Sequence, residues 1–332
     1  MDLTVIWAAI IAFGLFAYVA LDGFDLGVGI IFPFFPDDRE RDRMMHTLAP
    51  IWDGNETWLV FGGAALFATF PLAYSIVLEA LYLPIFLMLL CLLVRGVSFE
   101  VRGKARRTKN VWSLAFTVGS AGAAFFQGVV LGAYLQGIPV HEGTFNGDPF
   151  FWVSPFSFLT GLGLMSTYAL LGASWLVMKT DGELQSKLHR LAIPLVVILL
   201  VFMVAVSVWT PLLDADIAKR WFSSPMRYRL LPFPCAAAIV AIFLILAAKQ
   251  RYDASPFLLT LLLVLLGYAG LVVSVWPYAI PASITLWDAA APDTAQAFVL
   301  AGAAVIVPVI IAYTAAGYWV FRHKVPKDVK QH

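Results

Sequence analysis

The sequence has little charge, little cysteine and little histidine for its 332 residues. Charged residues make up 13% of the chain, against about 25% in typical soluble domains. With a net charge of +1 and no long basic block, nothing indicates a nucleic-acid partner. The two cysteines, Cys91 and Cys235, both lie in apolar segments, so neither a disulfide framework nor a thiolate metal site is supported. Nucleotide-binding motifs and a Ser/His/Asp arrangement are also missing.

What the chain has in abundance is apolar sequence. Hydrophobic residues account for 61% of it, the mean hydropathy is +0.84, and apolar runs recur along its whole length. This composition predicts an all-α polytopic membrane protein. The N-terminus lacks the basic flank of a secretory signal, so we expect the first apolar run to be retained. About nine transmembrane helices are predicted, at residues 5–34, 49–70, 74–95, 111–135, 152–178, 191–212, 231–248, 256–276 and 296–321.

The basic residues orient these spans. In a nine-span arrangement, all but four of the 22 lysines and arginines fall on one side of the membrane. The positive-inside rule therefore predicts an external N-terminus and a cytoplasmic C-terminus. We expect the four exceptions to form an interfacial segment that touches lipid headgroups; they are Lys219, Arg220, Arg227 and Arg229.

Two pairs of carboxylates interrupt the apolar runs near the cytoplasmic side. Asp22 and Asp25 are three residues apart, as are Asp53 and Glu56, so each pair lies on one face of a helix. A carboxylate at the centre of a membrane helix costs roughly 2.5 to 3.5 kcal/mol, and the cost falls near the interface. Carboxylates that step inward from one surface are typical of a proton path. The alternative is that they cap helix ends or accept hydrogen bonds from backbone groups.

Several stretches of this chain resemble one known family. Leu21–Gly29, which reads LDGFDLGVG, and Pro50–Leu59, which reads PIWDGNETWL, look like the two signature stretches of subunit II of cytochrome bd-type quinol oxidases, including the cyanide-insensitive form. Gly63–Phe67, Arg95–Arg102 and the stretch Gln127–Pro139 also match. The resemblance is close over the first 140 residues, and beyond them it lies mainly in hydropathy and in the number of spans.

The resemblance implies both an architecture and partners. It implies two four-helix bundles plus one peripheral helix, which we assign to residues 1–140, 141–290 and 291–332. It also implies a haem-bearing oxidase subunit I that holds haem b and haem d, and it allows a small accessory subunit. A quinone bound in this chain would fit beside Trp52. We expect lipid around the spans and the bacterial cytoplasmic (inner) membrane as the location.

The residues independently predict that this chain does not itself ligate haem. All five histidines lie in loops, at span edges or in the tail, and none is placed at mid-span, where a membrane haem needs its axial ligand. They are His46, His141, His189, His323 and His332. Methionine in apolar helices is usually filler.

Residue by residue, the family's proton-route acids correspond to Asp25 and Asp53, and Arg95 and Glu100 correspond to positions beside that route. Roles for Asp22 and Glu56 are left open, since some members have glutamine at the latter position. Arg95 could instead snorkel to the inner surface. Glu100 could pair with Arg95 or with Arg102.

Together these features predict subunit II of a cytochrome bd-type terminal oxidase, which couples quinol oxidation to the reduction of O₂ to water. In this interpretation the chain has no catalytic residue in the direct sense. It stabilises subunit I and contributes to the cytoplasmic proton route. Two alternatives remain from the residues alone: a proton-coupled secondary transporter, which would also place acids within a membrane, and a purely structural assembly subunit.

Overall fold

The computed structural model describes residues 2–213, 218, 222–223, 228 and 230–326. Over these residues, eight helices are long and apolar enough to cross a membrane by length and composition. This confirms the predicted all-α polytopic membrane protein. The four basic residues predicted to form an interfacial segment lie outside the described residues. The eight helices are α1 (Leu3–Ile31, extended by a 3₁₀ turn at Phe32–Phe34), α4 (Pro71–Arg102), α5 (Lys109–Leu135), α6 (Pro155–Lys179), α7 (Gly182–Leu213), α8 (Pro232–Lys249), α9 (Ser255–Val275) and α11 (Asp293–Val320).

The second predicted span, residues 49–70, is not one of these eight helices. Helix α3 (Trp52–Thr69) has 18 residues, which gives a length of about 27 Å at 1.5 Å per residue. It carries both Asp53 and Glu56. A polar helix that the hydropathy did not predict, α2 (Asp38–His46), precedes it. Within the described residues the structure also has two short hairpins and one helical turn: β1 (Val140–His141) with β2 (Thr144–Phe145), β3 (Tyr278–Ile280) with β4 (Ile284–Thr285), and α10 (Leu286–Ala289).

Helix α1 lies at the centre of the packing. It contacts α3, α5 and α6, while α4 packs on α5, and α5 packs on α6. On the other side of α6, contacts with α7 and α9 continue the array, and α8 packs against α7 and α9. Helix α11 is peripheral and rests mainly on α3 and α1. The helices that carry the carboxylates therefore adjoin one another.

Small residues allow α1 and α6 to touch backbone to backbone. A Cβ atom built on Gly27 would overlap the carbonyl oxygen of Tyr168, and one built on Gly172 would overlap the backbone at Gly27. Close approach of this kind lets membrane helices gain packing without a hydrophobic driving force. The crossing fixes the face of α1 that carries Asp22 and Asp25.

The interior proline of α4 divides it into two segments. Pro84 has no N–H with which to bond the carbonyl of Ala80, and its ring crowds that turn. The backbone at Leu81 leaves helical geometry, with φ −116° and ψ 18°. The second segment carries Arg95, and it packs so closely on α5 that a Cβ atom on Gly119 would lie 2.8 Å from the backbone nitrogen of Arg95.

Helix α2 crosses the end of the array at which α1 ends and α3 begins, which we call the basic end. Asp42 accepts hydrogen bonds from Arg102 at 2.6 Å and from Lys109 at 2.9 Å, so α2 is tied to α4 and α5. Burial acts to raise the pKa of Asp42, but these two hydrogen bonds outweigh it and hold the pKa below its ordinary value. Arg43 binds Asp181 at 2.5 Å and thereby ties α2 to the turn after α6. These contacts fix the connection between α1 and α3.

The α1–α6 crossing makes Gly27 the most constrained small residue of α1. We expect Gly27→Ala to lower the free energy of unfolding of the detergent-solubilised protein by about 1 to 3 kcal/mol or more, because the added methyl group forces the two backbones apart. The effect is measured as a lower melting temperature. The matched control is Gly317→Ala in α11, where the added Cβ atom meets nothing within 4 Å. Equal melting temperatures for the two variants would contradict the crossing described above.

Candidate functional site

Arg95 is the centre of a cluster of ionisable groups inside the helix array. Its side chain is completely buried, and its guanidinium reaches three carboxylates. One terminal nitrogen lies 3.2 Å from Asp22 and 3.6 Å from Asp25, and the other lies 2.5 Å from Glu56. We call these four side chains the Arg95 cluster.

Three helices supply the cluster, and aromatic rings cover it. Helix α1 presents both aspartates from one face, α3 presents the glutamate and α4 presents the arginine. The ring of Trp52 lies 5.2 Å from the guanidinium carbon of Arg95, within the range of a cation–π contact. Trp52 also packs on Phe99, at 5.3 Å between ring centroids. The arginine is therefore held by charge on one side and by an aromatic face on the other.

Asn55 joins the cluster to the peripheral helix. Its amide nitrogen donates to Asp25 Oδ2 at 2.8 Å, and its amide oxygen accepts from the Tyr318 hydroxyl of α11 at 3.0 Å. Asn55 is itself buried, and its amide nitrogen also lies 3.3 Å from the carbonyl of Leu21. Hydrogen bonds thus link Asp25 through Asn55 to Tyr318, and the ion pair between Arg95 and Asp25, at 3.6 Å, joins this chain to the arginine.

The cluster has more negative than positive groups. One guanidinium faces three carboxylates, and two of these, Asp22 and Asp25, are completely buried. Like charges that share a buried site cannot all remain ionised without compensation, so the cluster can bind a proton. Glu56 retains 31% of its side-chain exposure and is the member through which solvent can reach the group. The arrangement is chemically capable of taking up and releasing protons.

Two of the predicted site residues lie outside this cluster. Asp53 is exposed in the first turn of α3, and Glu100 is exposed on α4. Asp53 is one turn from Glu56 on the same helix, and an acid in a first helical turn is also favoured by the helix dipole. Their proposed roles in proton transfer remain predictions. The two residues left open from the sequence, Asp22 and Glu56, are in direct contact with Arg95.

The structure decides the snorkelling alternative for Arg95 and shows which acids pair with Arg102. Arg95 is buried among carboxylates, so the alternative of snorkelling to the surface is wrong. Arg102 pairs with Asp42 and Asp38 of α2.

Sequence reasoning missed two polar members of the hydrogen-bonded chain. Asn55 lies inside the signature Pro50–Leu59, between Asp53 and Glu56. Its side-chain amide is the signal that could have identified it as a hydrogen-bond donor to a carboxylate. Tyr318 lies 263 residues further along the chain, and nothing in the sequence indicated that α11 packs on α3.

Replacing Arg95 should lower the stability of the folded protein more than replacing any other residue of this region. We expect Arg95→Met to destabilise the protein by about 3 to 5 kcal/mol, because it leaves buried carboxylates without their cation. Thermal unfolding in detergent measures the effect. Arg322→Met, which removes an arginine from the exposed end of α11, is the control and should change the stability by less than about 0.5 kcal/mol. Similar unfolding temperatures for the two variants would show that the cluster does not depend on its arginine.

Comparisons with known proteins agree with this architecture. Residues 3–321 match the family model described as cytochrome bd terminal oxidase subunit II. The chain is 29% identical to cytochrome bd-I ubiquinol oxidase subunit 2 of Escherichia coli K12, covering 97% of this chain and 95% of that protein. It is 26% identical to cytochrome bd ubiquinol oxidase subunit 2 of Bacillus subtilis, with 96% of each covered.

The fold is also similar to a solved one. A chain of the bd oxidase from Geobacillus thermodenitrificans superposes with a TM-score of 0.74 and 16% identity, over 96% of this chain and 99% of that chain. At this identity the likeness concerns the fold alone. Because the family model matches nearly the whole sequence, the chain belongs to the family of cytochrome bd terminal oxidase subunit II.

Proposed function

We propose that this chain carries protons from the cytoplasm toward the haem-bearing subunit I of a quinol oxidase and holds that subunit in place. The observation that supports this most strongly is the Arg95 cluster, in which three carboxylates share one buried cation. Intramembrane carboxylates are costly and typically mark ion or proton paths. Membership of the family implies a partner subunit I and haem in the complex.

The charge distribution supports the orientation of the path. The basic end should face the cytoplasm under the positive-inside rule, with the N-terminus outside and the C-terminus inside a bacterial cytoplasmic membrane. The residues at this end include Arg43, Arg102 and Lys109, which bind the acids of α2 and its neighbours. In this orientation the Arg95 cluster lies toward the cytoplasmic half of α1 and α4. It can therefore draw protons from the side on which O₂ reduction consumes them.

The direction of the exposed acids supports transfer to a partner. Asp53 and Glu100 both point away from the core of this chain, on the outer surfaces of α3 and α4. The same surfaces present apolar side chains such as Val60, Phe67 and Phe86. We propose that subunit I covers this face, so that Asp53 and Glu100 lie at the junction of the two subunits. Protons would pass between Asp25 and Asp53 through Glu56, with Arg95 and Glu100 adjoining.

The four histidines that the structure describes do not fit an axial haem site. Of the four within the described residues, His46, His141 and His323 are exposed. His189 is buried in α7 near its first turns, seven residues from Gly182, with Asp253 and Lys324 nearby. That position is at the basic end and not at mid-span. We therefore place haem b and haem d in subunit I, where quinol oxidation supplies four electrons and O₂ takes up four protons to give two waters.

A bound quinone and an accessory subunit remain part of the proposal. Trp52 is half-buried and its ring faces Arg95. This contact supports a structural role for Trp52 more than it supports a quinone headgroup beside the ring. A separate apolar cavity of about 490 Å³ lies between α1, α9 and α11 and would suit a quinone tail or lipid chain. It is lined by Phe16, Ala20, Leu21, Phe257, Leu261, Leu262, Leu265 and Tyr318. Solvent extraction of the purified complex, followed by quinone analysis, tests whether one is bound.

Replacement of the acids separates proton transfer from assembly. We expect Asp25→Asn, Asp53→Asn and Glu56→Gln to lower quinol-driven O₂ consumption by about 10²-fold, the lower end of what a positioned acid–base group contributes. The assay uses assembled complex with its haem content checked by absorbance. Glu183→Gln, which changes an exposed acid of α7 that pairs with Lys187, is the control and should leave the rate unchanged.

Two outcomes would overturn this proposal. Near-normal O₂ consumption by all three variants, with haem content intact, would leave only the assembly role. A chain that purifies alone and without colour, and that transports a solute with protons, would favour the secondary transporter.

A further inference from the structure

A second set of buried polar groups adjoins the Arg95 cluster on its other side. Tyr18 Oη and Asp22 Oδ2 are both buried, and within the described residues neither has a hydrogen-bond partner of ordinary geometry, although the two side chains are close enough to interact with each other. The two side chains are four residues apart on α1 and so lie on one face of the helix. One is a hydroxyl donor and the other is a carboxylate acceptor. A buried donor or acceptor without a hydrogen-bond partner costs free energy, so an interaction between the hydroxyl and the carboxylate is favoured.

A third polar group reaches the same place from α6. The ring of Tyr168 lies against α1 at Gly23, where an added Cβ atom would come within 2.7 Å of Tyr168 Cε1. Tyr18 and Tyr168 are both completely or nearly completely buried, and both lie within electrostatic reach of Asp22. Tyr18 is also within electrostatic reach of Tyr168. The two phenols therefore occupy one interior region beside Asp22.

Tyr168 connects this region to another helix. Its hydroxyl donates to Gln127 Oε1 of α5 at 2.9 Å. Gln127 is half-buried, whereas Asp22 and Tyr168 are not accessible. The polar groups thus run from half-exposed Glu56 on α3, through the interior of the bundle, to half-buried Gln127 on α5. Apolar residues would fill these positions equally well if packing were their only role.

We propose that Tyr18 and Tyr168 extend the Arg95 cluster as relay hydroxyls, and that Gln127 positions Tyr168 at the far end of this extension. The proposal rests on the proposed function and adds a second arm to its proton path. A phenol hydroxyl accepts a proton on its oxygen and releases the one that it already carries, so each transfer forms one O–H bond and breaks another. No oxidant or reductant is needed. Asp22 is the branch point between Arg95 and the two phenols.

The test uses the assembled, haem-bearing complex during a single turnover with O₂. We expect Tyr18→Phe and Tyr168→Phe to slow proton uptake about tenfold, because each removes a hydroxyl but keeps the ring. The controls, Tyr134→Phe and Tyr268→Phe, remove hydroxyls of half-buried tyrosines that donate to the carbonyls of Ala279 and Ala12, and they should leave the uptake rate unchanged. Should Tyr168→Phe fail to assemble, Gln127→Leu removes the same hydrogen bond and retains the tyrosine.

An infrared difference spectrum provides a readout that a purely structural role would not move. The carboxyl signal of Asp22, identified by its loss in Asp22→Asn, should shift in Tyr18→Phe and stay in place in Tyr134→Phe. An unshifted signal, or equal slowing in the tyrosine variants and their controls, would overturn the proposal. If Asp25→Asn slows uptake while both tyrosine variants match the controls, the second arm is wrong and the proposed function stands. If Asp25→Asn also leaves uptake unchanged, the proposed function itself has failed.

Discussion

The rest of the structure depends on the burial of one guanidinium among three carboxylates. Removing charged groups from water costs several kcal/mol for each ion, and this cost is offset only where the partners are close and well directed. Arg95 satisfies that condition because α1, α3 and α4 bring Asp22, Asp25 and Glu56 within 3.6 Å of it. Any displacement of one of these helices would leave a charge unpaired. The ionic contacts therefore fix the relative positions of the three helices.

The close backbone packing serves the same constraint. The contact of Gly27 with α6 holds the acidic face of α1, and the contact of Gly119 with α4 holds the backbone of Arg95. At the basic end, α2 is tied to α4 and α5 by the paired side chains of Asp42, Arg102 and Lys109. The connection from α1 to α3 is thereby anchored at a fixed distance from the cluster.

Charge imbalance gives the cluster its chemical capacity. A fully neutralised ion pair would have a structural role, whereas one cation beside three carboxylates allows the cluster to bind and release a proton. Glu56 is the member with solvent exposure, and Asn55 carries the hydrogen-bonded chain on to Tyr318. The peripheral helix α11 is therefore coupled to the ionisable site.

Hydropathy predicted the membrane class and most of the spans, because a bilayer demands long apolar helices. The spacing of Asp22 and Asp25 placed both on one face of α1, where the structure has them. The same spacing was less informative for Asp53 and Glu56. Side chains three residues apart on a helix differ in direction by about 60°. On α3 that angle is enough for Glu56 to point inward while Asp53 is exposed. The polar helix α2 and the partner Tyr318 could not be predicted, since they depend on contacts between segments far apart in the chain.

The most direct test of the account combines three substitutions in the assembled complex. Arg95→Met alone should lower the yield of haem-replete complex, whereas Arg95→Met with Asp22→Asn and Asp25→Asn removes the buried charges together and leaves half-exposed Glu56 as the remaining carboxylate of the cluster. The triple variant should recover assembly, measured as haem per protein, but not O₂ consumption. A triple variant that assembles no better than Arg95→Met would contradict charge compensation as the role of Arg95. One that recovers full O₂ consumption would show that the cluster carries no protons.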